Sequence, residues 1–205
     1  MTETVILLHG LWLRGVAMSY LSRRLALAGF DAKLFDYSSV RDGLDVAGEN
    51  LRATIRACGP GRVHLVGHSL GGLIAATIVQ HQPDLLDGRI VCLGSPLRGS
   101  AASRQLKAIP GGRNLLGRSV EFLEKGLERW DAPQQLGAIA GRLPIGLGFL
   151  LGGLQGPHDG TVAVEETRLP GMTDHRVIAA AHTGLPFCDE GARQTVGFLR
   201  DGRFA

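Results

Sequence analysis

Short apolar runs alternate with amphipathic segments through the first half of the sequence. The runs that suit buried strands lie at residues 5–8, 30–37, 63–66 and 90–93. Between them, apolar residues recur at three- and four-residue steps, the period of a helix, over residues 16–28, 44–57 and 70–80. Because a helix that connects two strands returns the chain to the same end of the sheet, the strands are expected to be parallel. The pattern predicts a doubly wound α/β fold with a mostly parallel sheet.

The second half of the sequence is less regular. We interpret residues 98–141, which contain a glycine pair and a polar stretch, as a small lid-like helical insertion over one end of the sheet. The further predicted elements are a helix at 119–130, strands at 143–151 and 177–181, and a closing helix at 190–200. No linker-like stretch divides the chain, so residues 1–205 are predicted to form a single α/β domain.

One turn of the chain carries a residue type suited to covalent chemistry. The stretch Gly67-His68-Ser69-Leu70-Gly71 follows a predicted strand and opens a predicted helix. A serine at the centre of G-x-S-x-G in this context lies on a sharp, strained turn, and the flanking glycines remove side chains that would collide with the strand and the helix. The hydroxyl is then presented at the carboxyl edge of the sheet, where ligands bind in open α/β folds. Ser69 is therefore the candidate nucleophile.

A serine hydroxyl needs a base, and with this motif the expected chain order is serine, acid, histidine. His182 directly follows the final predicted strand, so it is expected at the same edge of the sheet as Ser69. His81 lies at the far end of the helix that starts at Ser69, and His175 precedes the final strand. Both are expected at the opposite edge, which leaves His182 as the predicted base.

The acid that orients the base is predicted from the same placement argument. Asp159 follows the apolar segment predicted as the penultimate strand, in a turn that starts at the carboxyl edge. Asp174 precedes the final strand and Asp189 starts the closing helix, so both lie in less suitable places, and Asp131 in the insertion is a weaker rival. His158, beside Asp159, is a substitute candidate for the base.

Two backbone N–H groups complete the predicted site. The amide of Leu70 lies at the N-terminus of the helix after the nucleophile, and that of Leu11 follows the first strand, so both are candidates for an oxyanion hole. Trp12 and His68 flank these positions and are candidate substrate-binding residues. Rather than act as the base, His68 is expected to serve packing or turn support. His9 is expected to be a structural histidine.

Composition narrows the functional classes. The formal charge is only +3 and the basic residues are scattered, which argues against a nucleic-acid partner. The three cysteines have spacings that fit neither a disulfide framework nor a metal site. No signal-peptide pattern and no apolar run long enough for a bilayer are present, so a cytoplasmic protein without stable membrane insertion is expected.

Together these segments resemble the α/β-hydrolase superfamily, and within it small bacterial esterases and lipases of the GPI-inositol-deacylase-like and class 2 lipase groups. The blocks that carry the resemblance are His9-Gly10, Gly67-His68-Ser69-Leu70-Gly71-Gly72, Gly94-Ser95-Pro96-Leu97-Arg98-Gly99-Ser100, Asp159-Gly160-Thr161-Val162 and His182-Thr183-Gly184-Leu185. The resemblance implies hydrolysis of a small carboxylic ester or lipid-like substrate through an acyl-enzyme, without a cofactor. The chain lacks the long apolar lid of true lipases, which argues against triacylglycerol.

Three other functions are compatible with parts of the pattern. A thioesterase or an acyltransferase would use the same three residues, and a binding protein would keep the fold without the chemistry. Dinucleotide binding is disfavoured because the first strand ends in His9-Gly10-Leu11-Trp12 and not in a G-x-G-x-x-G loop.

Overall fold

Six strands form one parallel sheet in the computed structural model, which describes residues 2–146 and 154–205. The strands are β1 (Thr4–Leu8), β2 (Asp31–Phe35), β3 (Val63–His68), β4 (Ile90–Leu93), β5 (Leu136–Gly141) and β6 (Asp174–Ile178). Their spatial order is β2-β1-β3-β4-β5-β6, and every neighbouring pair is parallel. The predicted doubly wound α/β fold is therefore confirmed.

Helices connect the strands and cover both faces of the sheet. In the described residues they are α1 (Ser19–Leu27), α2 (Gly43–Arg56), α3 (Leu70–His81), α4 (Ala101–Ala108), α5 (Gly112–Leu116), α6 (Val120–Lys125) and α7 (Asp189–Asp201). One apolar cluster joins the sheet to α1 and α7, and a second joins it to α2, α3 and the insertion. Side chains of β1 alternate between them, with Val5 and Leu7 in the first and Ile6 and Leu8 in the second.

The direction of winding reverses beside the centre of the sheet. From β1 the chain moves to β2 on one side and then returns to β3 on the other side of β1. Ligands bind in open α/β sheets at such a switch point, in the crevice outside the carboxyl ends of the strands. The turns that carry Gly10 and Ser69 follow β1 and β3, so both lie at this crevice.

The position of the fifth strand differs from the prediction. Residues 136–141 form β5 and are part of the sheet, and residues 142–146 lie outside any strand. The strand predicted at 143–151 was therefore wrong over residues 143–146, and residues 147–151 lie outside the described part of the chain. The small side chains of β5 give no strand signal, but they have a packing role. A Cβ added to Gly137 would lie 2.6 Å from the ring of Phe198, so this glycine lets α7 approach the sheet closely.

The insertion between β4 and β5 holds three short α-helices where the sequence predicted one at 119–130. Its last helix, α6, ends at Lys125 because Gly126 has φ of 61° and lies directly against the backbone of Gly99. Trp130 is outside the helix and is buried in the core. The last strand also begins earlier than predicted, at Asp174, whereas the closing helix is close to its expected bounds.

Helix α1 offers a matched test of the core, because it carries two leucines in opposite environments. Leu25 is fully buried against the sheet, while Leu27 is 83% exposed. Leu25→Ala is expected to lower the free energy of unfolding by about 2–5 kcal/mol, because it removes buried methyl groups and leaves a cavity. Leu27→Ala should stay within about 0.5 kcal/mol of the wild type. Urea unfolding of both variants measures the difference, and equal losses would contradict this packing.

Candidate active site

Ser69 lies on a strained turn between β3 and α3. Its backbone has φ of 53° and ψ of −120°, a conformation that residues other than glycine rarely adopt. The turn is this tight only because its neighbours lack side chains. A Cβ on Gly67 would lie 2.2 Å from the backbone N of Gly72, and one on Gly71 would lie 2.5 Å from the carbonyl O of His9. The glycines therefore allow the turn that the G-x-S-x-G spacing predicted.

The side chains of Ser69, His182 and Asp159 converge at the carboxyl edge of the sheet. His182 Nε2 lies 3.0 Å from Ser69 Oγ, and His182 Nδ1 lies 2.8 Å from Asp159 Oδ2. Because a carboxylate can only accept, Nδ1 carries the proton of the neutral imidazole and Nε2 accepts from the hydroxyl. This is the arrangement in which a histidine can remove the serine proton.

Asp159 is held from its other side by the backbone. Its Oδ1 accepts the N–H groups of Thr161, at 2.9 Å, and Val162, at 2.7 Å, and the residue is only 1% exposed. The N–H of His182 also donates to the carbonyl of Asp159, at 2.8 Å. Gly94, at the end of β4, leaves room for the pair, since a Cβ there would lie 3.1 Å from both Asp159 Oδ2 and His182 Nδ1.

The two predicted oxyanion donors flank the nucleophile. Leu70 is the first residue of α3, so its N–H has no partner inside that helix. Neither the Leu70 amide nor the Leu11 amide donates a hydrogen bond to any part of the described chain. Gly10 brings the Leu11 turn against the nucleophile, because a Cβ on it would lie 3.2 Å from Ser69 Cβ. Two amides without a hydrogen-bond partner in the described residues thus lie in the turns next to Ser69.

The two predicted substrate-binding residues differ in accessibility. Trp12 is 48% exposed next to the Leu11 turn, so its ring has surface available to a ligand. His68 is only 2% exposed and lies beneath the site, with its Nε2 donating to the backbone carbonyl of His182 at 3.0 Å. Its burial leaves no surface for a substrate. The prediction that His68 contacts the substrate was therefore wrong, and its side chain instead supports His182.

The alternative acids and bases make contacts elsewhere. His81 bonds the backbone carbonyl of Thr77 at the far end of α3, and His175 bonds the Thr167 hydroxyl at the amino end of β6. His158 accepts from the N–H of Gly160. The carboxylates of Asp131, Asp174 and Asp189 contact Arg129, the N–H of Phe204 and the Tyr20 hydroxyl, respectively.

His9 contacts the backbone around the first turn. It is fully buried and stacked on Tyr37, with Nδ1 bonding the carbonyl of Gly10 at 2.9 Å. Burial lowers the pKa of His9, so it is held as a neutral ring. These contacts agree with the structural role expected from the sequence.

Glu166 is a supporting residue that the sequence analysis missed. Its Oε2 accepts the N–H of Ala163 in the turn that carries Asp159, and its Oε1 accepts the N–H of Ala101 at the start of α4. Burial raises the pKa of this carboxyl. The carboxylate therefore ties the turn of the acid to the insertion. The sequence contains no capping-box signal, because alanine at position 163 lacks the side-chain oxygen of that motif, and only the bond from the Ala163 N–H to Glu166 forms.

A comparison with known families agrees with this geometry. The model of the Alpha/beta hydrolase family matches residues 5–140, about two thirds of the chain. The chain belongs to the Alpha/beta hydrolase family. The match includes Ser69 but ends before Asp159 and His182, so their pairing with the serine rests on the geometry described above.

Proteins similar to this chain include an esterase, a lipase and a pyrethroid hydrolase. The chain is 33% identical over 96 residues to a pimeloyl-[acyl-carrier protein] methyl ester esterase of Aeromonas salmonicida, a match that covers 45% of this chain and 38% of that protein. The mature form of the Bacillus licheniformis lipase BlEst2 superposes with a TM-score of 0.76 at 19% identity, over 97% of this chain and 91% of that one. The pyrethroid hydrolase PytH gives 0.68 at 15% identity, over 98% and 99%. These two structures support the fold alone.

Two further properties concern the described residues. None of the helices in residues 2–146 and 154–205 has the length and apolar character to cross a membrane. Within the same ranges, no group of histidine, cysteine and carboxylate side chains is arranged to hold a metal ion.

His68 gives the hydrolase a specific dependence of stability on pH. Burial lowers the pKa of His68 to about 3 from 6.5. Between these values the unfolded chain binds a proton that the folded one does not, so stability is present above pH 6.5 and is lost as the pH falls. At pH 5 the loss from this group is about 2 kcal/mol.

The variant His68→Gln keeps an N–H donor and cannot titrate. We expect the free energy of unfolding of this variant, measured with urea at pH 7.5 and 5.0, to fall less between the two pH values than that of the wild type. The exposed His81, changed to glutamine, is the matched control. An unchanged pH dependence in His68→Gln would contradict the assignment.

Proposed function

We propose that this hydrolase cleaves carboxylic esters through an acyl-enzyme formed on Ser69. The observation that carries the proposal is the pair of contacts that His182 makes, 3.0 Å to Ser69 Oγ and 2.8 Å to Asp159 Oδ2. A serine, a histidine and a buried carboxylate in this order are the parts needed to activate a hydroxyl. The similarity to a methyl ester esterase supports the same reaction class.

The reaction starts with proton transfer. His182 Nε2 takes the proton as Ser69 Oγ attacks the ester carbonyl, and Asp159 stabilises the imidazolium that forms. The N–H groups of Leu11 and Leu70 bind the oxygen that becomes negative. His182 then gives its proton to the leaving alcohol. A water molecule, deprotonated by the same nitrogen, attacks the acyl-enzyme, and the acid is released with Ser69 restored.

The surroundings favour a small ester with an apolar part. Trp12 and Phe187 are both about half exposed, and they adjoin the Leu11 turn and the His182 segment, respectively. The insertion, between β4 and β5, contacts the Leu11 turn through Trp12 and serves as a small cover. We also propose that the chain belongs to the narrower GPI-inositol-deacylase-like and class 2 lipase groups, and that it acts in the cytoplasm.

Replacement of the nucleophile is the first test. Ser69→Ala is expected to reduce hydrolysis of p-nitrophenyl acetate and butyrate by at least about 10⁴-fold, because no other group supplies the attacking oxygen. A fluorophosphonate probe should label the wild type at Ser69, as located by mass spectrometry. Ser22→Ala, a serine on α1, is the matched control and should keep full activity.

Retained turnover in Ser69→Ala would refute the nucleophile. No labelling and no turnover in the wild type would instead favour a binding protein that keeps the fold. Acyl-CoA substrates assayed beside the oxygen esters distinguish a thioesterase, which would cleave them faster with the same dependence on Ser69.

Asp159→Asn tests the orientation of the imidazole. The N–H groups of Thr161 and Val162 fix the amide oxygen of the new side chain at the position of Oδ1. Its NH₂ group then faces His182 Nδ1, which must accept. The proton moves to Nε2, where the ring can no longer act as a base.

We expect kcat to fall by about 10³–10⁴-fold in Asp159→Asn, with a folded structure by circular dichroism. The matched control is Asp131→Asn, on the surface of the insertion. A loss of less than about tenfold would show that Asp159 does not orient the base.

A further inference from the structure

Trp12 has an unexpected backbone conformation. In the described part of the chain, only two residues other than glycine have a positive φ, Trp12 at 61° and Ser69 at 53°. The N–H of Leu13 donates to the carbonyl of Gly10, at 3.3 Å, so Trp12 is the third residue of a tight turn. Glycine or asparagine is usual at positive φ in such turns, and a tryptophan there is strained. This conformation persists only because surrounding contacts hold it.

Two hydrogen bonds hold Trp12. Its backbone N–H donates to Ser39 Oγ at 3.0 Å, and its indole Nε1–H donates to the carbonyl of Leu115 in α5 at 2.8 Å. On the other side of Leu11, Gly10 is packed against Ser69 and His68. The Leu11 amide therefore lies between two residues that are held in place, Gly10 and Trp12.

Ser39 is in turn fixed by the insertion. Its carbonyl accepts the hydroxyl of Ser119 at 2.7 Å, and both serines are almost completely buried. The next carbonyl, that of Val40, accepts the N–H of Arg118 at 3.0 Å. Both bonds of Trp12 thus lead to the insertion, one directly through Leu115 and one through Ser39.

We propose that Trp12 and Ser39 are positioning residues for the oxyanion hole, and that the insertion holds the Leu11 N–H in place through them. The inference rests on the proposed function, since it assigns Leu11 as an oxyanion donor. It gives the insertion a role in the chemical step in addition to covering the site. An oxyanion donor stabilises the transition state more than the bound substrate, so its displacement lowers kcat and leaves KM nearly unchanged.

The decisive variant is Ser39→Ala, which removes the acceptor for Trp12 but leaves the Ser39 carbonyl that docks the insertion. We expect kcat for p-nitrophenyl butyrate to fall by about 10–100-fold, with KM within about twofold, because a donor is displaced but not deleted. Binding of a trifluoromethyl ketone, which forms an oxyanion on Ser69, should weaken by a similar factor. Ser39→Thr keeps the hydroxyl and should restore most of the activity.

Two variants test the link to the insertion. Trp12→Phe removes the indole donor, and Ser119→Ala removes the bond to Ser39, so both should lower kcat in the same way and by a smaller factor. Ser38→Ala is the matched control, because its hydroxyl makes no hydrogen bond within the described residues. Active-site titration with the fluorophosphonate probe corrects each kcat for the folded fraction.

The outcomes separate this inference from the proposed function. If the wild type is labelled at Ser69 but Ser39→Ala has unchanged kcat and unchanged inhibitor affinity, the positioning role is overturned and the serine mechanism stands. A loss of stability with normal kcat per labelled site also overturns it, since the role would be structural only. If the wild type is not labelled at Ser69, both proposals fall.

Discussion

The close approach of β1, β3 and α3 around Ser69 is the constraint on which the site depends. The nucleophile turn exists because Gly67, Gly71 and Gly72 leave no side chains between the strand, the helix and the preceding loop. The close contact at Gly71 also brings the carbonyl of His9 against the turn of Ser69. The packing that permits the strained backbone of Ser69 therefore also places the Leu11 turn. Ser69 and the proposed oxyanion donors, the N–H groups of Leu11 and Leu70, are thus parts of one packing arrangement.

Parallel strands explain why residues far apart in the sequence meet. Ser69 follows β3, Asp159 follows β5 after a long connection, and His182 follows β6, and all parallel strands of a sheet end at one edge. Support from the backbone then makes the convergence specific. Asp159 receives two N–H groups on the oxygen that does not face His182, so the carboxylate is directed without the help of another charged side chain.

Order along the chain was therefore enough to predict the fold and to place Ser69 and His182 at one edge of the sheet. Asp159 was placed there from a strand predicted at 143–151, whereas β5 lies at 136–141, so its contact with His182 became visible only in the structure. The sequence could not predict those elements and contacts that leave no periodic pattern in the local residues. Strand β5 consists largely of glycine and alanine, and the ring of Phe198 packs over Gly137. The bond from Trp12 to Leu115 joins residues 103 positions apart, and Ser39 lies in a loop with no motif. Tertiary packing alone determines such contacts.

In the described chain, the two residues other than glycine with positive φ are Trp12 and Ser69. They flank the place where we propose that the substrate carbonyl reacts, and this coincidence has a physical reason. Electrostatic catalysis requires donors that are already oriented before charge develops, because reorientation during the reaction would cost the energy that the donors supply. A backbone held in an unfavourable conformation must be fixed from several sides. At Ser69 the fixing contacts are those of the sheet and α3, whereas at Trp12 they come from Ser39 and the insertion. The insertion is hydrogen-bonded to the Leu11 turn through Trp12, so under our proposal it can tune the reaction from outside the group formed by Ser69, Asp159 and His182.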